Sequence, residues 1–184
     1  MEPKRHAKVA DLRTTAPTAT TTSRHPATAY CYWDLVPSPF RSLIVAVDRD
    51  GRLIEIRFDG RRPKGLRDAR RCKAASTQLT EYFAGRRREF DLDLAPYGTD
   101  FQLRVWEALR AIPFGVVRNY GDLARAIGRP SAARAVGQAN GRNPLPIVIP
   151  CHRVIAADGT IGGYSAGLDI KFRLLAIEGI ELDL

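Results

Sequence analysis

The sequence has no apolar run approaching the ~18 residues of a membrane span, and no apolar stretch follows its charged N-terminus. Neither a bilayer-crossing helix nor a secretory leader is therefore expected. Cysteine is scarce. Cys31, Cys72 and Cys151 form an odd, widely spaced set, which argues against a disulfide framework and fits a reducing compartment. No Cys-x-x-Cys pair occurs, so a compact structural zinc site is not expected. Histidine is sparse too: His6 and His25 lie near the start, and none follows until His152.

Acidic residues are outnumbered. Lys and Arg total 29 against 20 Asp and Glu, a formal net charge of +9. A basic balance of this size favours a polyanionic partner, most commonly nucleic acid; a basic surface kept for solubility is the other reading. Residues 1–29 hold five Lys/Arg and two Asp/Glu. The rest of the chain is thus basic in its own right. The expected location is the cytoplasm, at the nucleoid, or the nucleus in a eukaryote.

Three stretches are expected. Residues 1–29 are rich in Thr, Ala, Pro and basic residues and almost lack large apolar ones. Such a segment cannot bury enough surface to offset its ordering entropy, and reads as a disordered basic tail. Residues 30–95 read as a small N-terminal α/β domain. Strands are expected over Tyr30–Val36, Leu43–Val47 and Leu53–Phe58, with a turn at Asp50-Gly51. A basic loop, Arg61–Arg71, leads to a helix around Ala74–Ala84 that places Leu79, Tyr82 and Phe83 on one face and ends at Gly85. Nothing in this half looks catalytic.

Residues 96–184 turn mostly helical. Thr99 and Gln102 form a capping-box pattern, followed by Phe101, Val105, Ala108, Leu109 and Ile112 at helical spacing and Pro113 as a stop. Trp106 reads as core or domain interface. A second helix starts near Asn119, with Tyr120, Leu123, Ala124 and Ile127 on one face and Gly128 at its end. Ser131 is placed to cap a third, in which Ala132, Ala135, Val136 and Ala139 make a small-residue face and Gly141 closes. Arg134 and Gln138 then point outward. Two short helices joined by Gly-Arg-Pro read as a helix-turn-helix, a DNA-binding arrangement in many proteins and a plain helix pair in others. The fold class is α/β (α+β): a sheet-plus-helix domain, then a helical domain of winged-helix-like kind.

The chemistry-bearing segment is Asn143-Pro144-Leu145-Pro146, then Ile147-Val148-Ile149, then Pro150-Cys151-His152-Arg153-Val154. A cysteine attacks as the thiolate, and its ordinary pKa near ~8.5 calls for a base or a local cation. His152 fits either task. Neighbouring side chains diverge in regular structure, so contact would need a bridging water or an irregular turn. Taken alone, the pair fits a buried structural cysteine beside a surface histidine better than a nucleophile.

The flanks alter that balance. Tyr120-Gly121-Asp122-Leu123-Ala124, Ala133-Arg134-Ala135-Val136-Gly137, Asn143-Pro144, Ile149–Val154, Gly162-Gly163-Tyr164-Ser165 and Glu178-Gly179 stand in the order and spacing of the O6-alkylguanine-DNA alkyltransferase family, which this sequence resembles from about Phe101 to Gly179. Pro37-Ser38-Pro39 before an apolar strand agrees with the family, whereas Arg41 departs from a glycine common there.

The resemblance implies an enzyme that moves a methyl or alkyl group from O6 of guanine, and from O4 of thymine, in duplex DNA to Cys151. The transfer happens once per molecule and without a cofactor. It makes His152 the base, acting through a water, Glu178 its orienting partner, and Asn143 the residue steadying the active-site turn. Glu178 stands near the end of an apolar-faced helix (Leu168, Phe172, Leu175, Ala176). A carboxylate there opposes the helix dipole, which suggests a specific partner. Tyr120, core by pattern alone, becomes the proton donor to guanine N3. Arg134 becomes the finger that fills the gap left by the flipped base. Ala133, Ala135, Gly137, Gln138 and Arg142 join it on a helix that enters the minor groove. Ala132 and Ala139 count among the small residues that suit this narrow groove. The carbonyls of Cys151 and Val154 are implied to read the exocyclic amine. Tyr164, Ser165 and Pro146 complete the pocket, and Ala166 stands where some relatives have glycine.

Some members hold a zinc in the N-terminal half. Here only Cys31, Cys72, His6 and His25 are available, and no metal is expected. The expected partner is duplex DNA, with no membrane, bound by a monomer or by copies acting cooperatively.

Three other functions compete. A lesion binder without chemistry would lack the acceptor cysteine, which is present. A helix-turn-helix regulator would leave the Cys-His pair in its Asn-Pro and Gly-Tyr-Ser frame unexplained. A cysteine hydrolase would call for an oxyanion pocket and for substrates unlike DNA.

Overall fold

The structure, a computed structural model, describes residues 31–181. The reading of residues 1–29 as a tail lies outside them. Strands β1 (Cys31–Val36), β2 (Leu43–Val47), β3 (Leu53–Arg57) and β4 (Gly65–Arg67) form one sheet in the order β3-β2-β1-β4. The first three pair antiparallel and β4 joins β1 in parallel. Asp48 shapes the β2–β3 turn by accepting from the backbone N–H groups of Asp50 and Arg52, and Gly51 takes a positive φ. β2 is buried throughout. Leu43, Val45 and Val47 join the main core, while Ile44 and Ala46 meet Cys31 and Trp33 on the other face.

The basic loop is not wholly a loop. Three of its residues make β4, which no side-chain alternation announces, because the pairing is made by backbone. Gly65 permits it: a Cβ there would lie 2.0 Å from the Cys31 carbonyl oxygen. Helix α1 (Lys73–Phe83) buries Ala75, Leu79 and Tyr82, and Gly85 follows with a positive φ. Burying such an apolar stripe is what stabilises a short helix, since propensity alone is marginal at this length.

The chain then runs along β3. Leu53 donates to the Asp93 carbonyl and Ala95 to that of Leu53, and further on Ile56 donates to the Pro144 carbonyl. The first half of the chain therefore braces the segment that leads into Cys151.

Helix α2 (Asp100–Arg110) begins at the Thr99–Gln102 capping box and buries Val105, Trp106 and Leu109. The Trp106 indole donates to the Ala139 carbonyl at 2.9 Å. Asn119 and Asp122 build a second capping box at the start of α3 (Tyr120–Ala126). Arg118 and Asn119 form β5, which pairs in parallel with β6 (Val154–Ile155).

Helix α4 (Ala133–Gly141) packs against α2 and α3. Its details depart from the expected pattern. Ser131 does not cap it; Ala132 occupies that position, with no side-chain bond. Val136, Ala139 and Asn140 are buried, whereas Ala135 is exposed. Gly141 is the last helical residue rather than the stop. Helix α5 (Leu168–Ile177) also turns a different face inward. Ile170, Lys171, Leu174 and Leu175 are buried, Leu168 and Ala176 exposed and Phe172 half-buried. A lysine in the inward stripe shifts the face in a way that hydrophobic spacing does not register. One core joins both halves, running from Val36 and Leu79 through Trp106 to Cys151 and Leu174.

Candidate active site

Asn143 closes the turn before the cysteine. Its Oδ1 accepts from Leu145 N at 3.0 Å and its Nδ2 donates to the Ile149 carbonyl at 2.8 Å. Within that turn Ile147 has φ 79°, a left-handed conformation that a β-branched residue rarely takes and that stores strain. Ile147 is 1% exposed, so the surrounding core holds it there. Cys151–Arg153 then form a short 3₁₀ turn after Pro150. The irregular backbone expected around Pro150 is present.

Cys151 is buried, and its Sγ lies 3.9 Å from the Tyr164 hydroxyl. Burial pushes its pKa up. Hydrogen bonding from Asn143 and Tyr164 and the positive charge of Lys171 pull it part of the way back. The resting group is therefore a thiol that needs a base.

His152 is fully buried, and burial pushes its pKa down despite the opposing pull of Glu178. It is thus a neutral imidazole near neutral pH. Nε2 lies 2.8 Å from Glu178 Oε1. An ionised carboxylate only accepts, so the proton belongs on Nε2 and Nδ1 is a bare acceptor. Among the described residues that Nδ1 has no partner.

Glu178 caps the C-terminus of α5. Oε1 also accepts from Tyr82 Oη (2.9 Å) and Arg153 Nη2 (2.9 Å), and Oε2 from Arg153 Nε (2.8 Å) and Gly115 N (3.1 Å). Burial alone would raise its pKa. The donors His152 and Arg153 outweigh burial and hold the carboxyl at about 2. The unfavourable helix-end charge is thus met by a buried guanidinium that also donates to the Ile112 carbonyl.

Tyr120, Gly137, Asn140, Gly141, Gly163, Tyr164 and Ser165 line a cavity of about 230 Å³. This is below the roughly 300–1,000 Å³ of drug-sized sites and suits a single ring system. Gly137 lies against the Tyr120 ring, where a Cβ would sit at 3.7 Å, an ordinary contact distance. Burial and then the nearby Cys151 charge raise the Tyr120 pKa, which keeps it a donor. Val154 and Pro146, expected in the pocket, are buried and stand off its wall. The Val154 carbonyl accepts from Lys171 Nζ at 2.6 Å, and that of Cys151 from Asn140 Nδ2 at 3.4 Å. A carbonyl has two lone pairs, so that of Val154 keeps one beyond Lys171, whereas that of Cys151 also accepts from the Val154 backbone N–H and has both engaged.

Beside the cavity, Arg134, Ala135, Gln138 and Arg142 are exposed, while Ala133 and Gly137 are half-buried. Ala139 is buried, and its carbonyl accepts from the Trp106 indole. In the N-terminal half, Cys31 and Cys72 are buried free thiols. Burial, helped by nearby carboxylates, pushes Cys72 up to about 12. His6 and His25 lie outside the described residues.

Sequence reasoning missed four residues here. Tyr82 was read as core only. Arg153 was read as part of a motif without a task, and Asn140 was not singled out. Lys171 is buried and donates to the carbonyls of Val154, Ile161 and Gly163; burial lowers its pKa to about 8. A lysine inside the apolar stripe of α5 was the available signal.

A buried thiol beside a neutral histidine, next to a ring-sized cavity and an exposed basic helix face, suits a protein that uses cysteine as a nucleophile. The comparisons narrow that class. The model of the 6-O-methylguanine DNA methyltransferase DNA binding domain matches residues 100–180, and that of the 6-O-methylguanine DNA methyltransferase ribonuclease-like domain matches residues 31–96. A methylated-DNA–protein-cysteine methyltransferase from Methanosarcina acetivorans is 45% identical over 80% of this chain and 98% of its own length. One from Mycolicibacterium paratuberculosis is 50% identical over 69% and 77%. The crystal structure of Mycobacterium tuberculosis OGT in complex with DNA superposes with a TM-score of 0.76 at 44% identity, covering 80% of this chain and 92% of that one. The chain belongs to the methylated-DNA–protein-cysteine methyltransferase family.

Proposed function

We propose that this protein repairs DNA by direct reversal, taking a methyl or other alkyl group from O6 of guanine in duplex DNA onto Cys151. The observation that carries this reading is the buried Cys151 thiol beside His152, whose bare Nδ1 is backed by Glu178 through Nε2. DNA is the partner, as the family and the DNA-bound relative suggest.

His152 Nδ1 takes the thiol proton through a bridging water, a role open to a buried acceptor without a protein partner. The thiolate attacks the alkyl carbon in line. A C–S bond forms, the C–O6 bond breaks, and the electron pair passes into the purine. Tyr120 donates a proton at N3 and neutralises the leaving base. The thiol proton stays on His152 as the imidazolium and Tyr120 is left as the phenolate; proton exchange through solvent then returns both to their neutral forms, so that the net change is one proton from Cys151 to guanine and a thioether on Cys151. No group in the site is suited to cleaving a thioether, so each molecule acts once. O4-alkylthymine has the same alkyl–oxygen bond and is a second substrate.

The target base must leave the helix, at a cost of a few kcal/mol of unstacking. The exposed face bearing Arg134, Ala135 and Gln138 suits entry into the minor groove, with Arg134 filling the vacated space. Asn143 holds the turn, and Arg142 adds a phosphate contact. Tyr164 and Ser165 wall the base pocket. The Val154 carbonyl reads the exocyclic amine with its remaining lone pair, and that of Cys151 does so by giving up its long 3.4 Å bond from Asn140.

The test is to follow O6-methylguanine in a duplex during incubation with excess protein. Conversion to guanine should be complete with the wild type and absent with Cys151→Ala. Release of free base or strand cleavage would overturn the reading.

A further inference from the structure

We propose that Tyr82, in the N-terminal half, is a positioning residue of the proton relay: its hydroxyl holds Glu178 so that the proton leaving Cys151 stops on His152. The proposal rests on the functional reading above.

Tyr82 comes from α1, far in sequence from the other relay residues. Its hydroxyl lies 2.9 Å from Glu178 Oε1 and 3.5 Å from His152 Nε2. The side chain has no exposure to solvent. Phe83, Phe90 and Phe114 surround the ring with centroids at 5.6, 5.6 and 6.3 Å, so the hydroxyl has little freedom to move. A phenol in such a place stays protonated, and an ionised carboxylate only accepts. Tyr82 therefore donates to Glu178. Packing alone would be served by phenylalanine, as it is at the neighbouring Phe83 and Phe90.

Tyr82 and His152 share the same carboxylate oxygen. Each donor on a carboxylate lowers its affinity for a further proton. With Tyr82 and Arg153 in place, Glu178 attracts the imidazolium but does not take its proton. Without the phenol, Oε1 has one donor fewer and pulls harder on Nε2–H. The imidazolium is then favoured in the resting protein. His152 carries a proton to higher pH, and the base for Cys151 is occupied. The charged groups facing His152 are Glu178, Arg153 and Lys171, with Cys151 as its neighbour. All remain in the variant.

The experiment compares wild type and Tyr82→Phe. The His152 imidazole is titrated by NMR, and the single-turnover methyl-transfer rate is followed against pH with a methylated duplex. His152 should titrate higher in the variant by about one pH unit. The acidic limb of the rate profile should move up with it. In a Glu178→Gln background the same substitution should move neither. A His152 titration unchanged or lowered in Tyr82→Phe would overturn the proposal, even if the variant melts at a lower temperature, because a purely structural role predicts that result. The titration needs no activity. A wild type that fails to take up methyl would therefore sink the functional reading separately from the Tyr82–His152 coupling.

Discussion

Replacing Glu178 by Gln tests the buried ion pair that supports His152. Glu178 and Arg153 side chains are 0% and 7% exposed. Glutamine keeps one acceptor oxygen and the volume, but its amide group faces donors and leaves the guanidinium unpaired. Breaking a buried pair on one side costs about 3–5 kcal/mol. For a chain of this size each kcal/mol lowers the melting temperature by roughly 2–4 °C, so a loss of about 6–20 °C is expected at neutral pH.

The pH dependence sharpens the test. The folded carboxyl is depressed from an ordinary 4.5 to about 2. Its contribution is fully present above 4.5 and is lost as pH falls through 2. Calorimetric melts of both proteins should differ by a constant amount from neutral pH down to about 4.5 and converge below it. The reasoning fails if the variant melts with the wild type at pH 7, or if the gap does not depend on acid.

Arg134→Ala should slow repair of duplex DNA much more than reaction with free O6-benzylguanine, because only the duplex must be unstacked; equal slowing in stopped assays of both would refute the finger role. Lys171→Met removes a cation that favours the Cys151 thiolate and three bonds that tie Val154 to the 161–163 loop, so methyl transfer at pH 7 should slow at least several-fold. Burial depresses the Lys171 pKa from 10.5 to about 8, so the folded chain binds fewer protons than the unfolded one between those values. Wild-type stability should rise across that window and the Met variant should lose the rise, which denaturant titrations at pH 8 and 10 would detect. Binding to unmodified duplex should weaken steadily with salt as phosphate contacts release counterions, and a salt-independent affinity would contradict a DNA-facing basic surface.

Much of this was legible in local pattern. The Thr99–Gln102 box and the Asn119 cap need only a few neighbouring residues, and both helices start where those residues stand. Strand β4 was not legible, because backbone pairing and a close approach at Gly65 create it, and neither leaves a hydrophobic rhythm. The face of α5 was misread for a related reason. Lys171 is polar in sequence but finds three carbonyls inside, while Leu168 stays in solvent. Cys151 and His152 stood out through an unusual short segment. Tyr82 meets Glu178 across 96 positions and Arg153 meets it across 25; convergence of that kind comes from tertiary packing and has no signature along the chain.

The central claim is that Cys151 accepts the alkyl group, and intact-protein mass spectrometry after incubation with O6-methylguanine duplex tests it most directly. The account predicts a gain of one methyl per molecule, found on the peptide containing Cys151 and absent from Cys151→Ala. An unchanged mass, or a methyl group on Cys31 or Cys72, would contradict it.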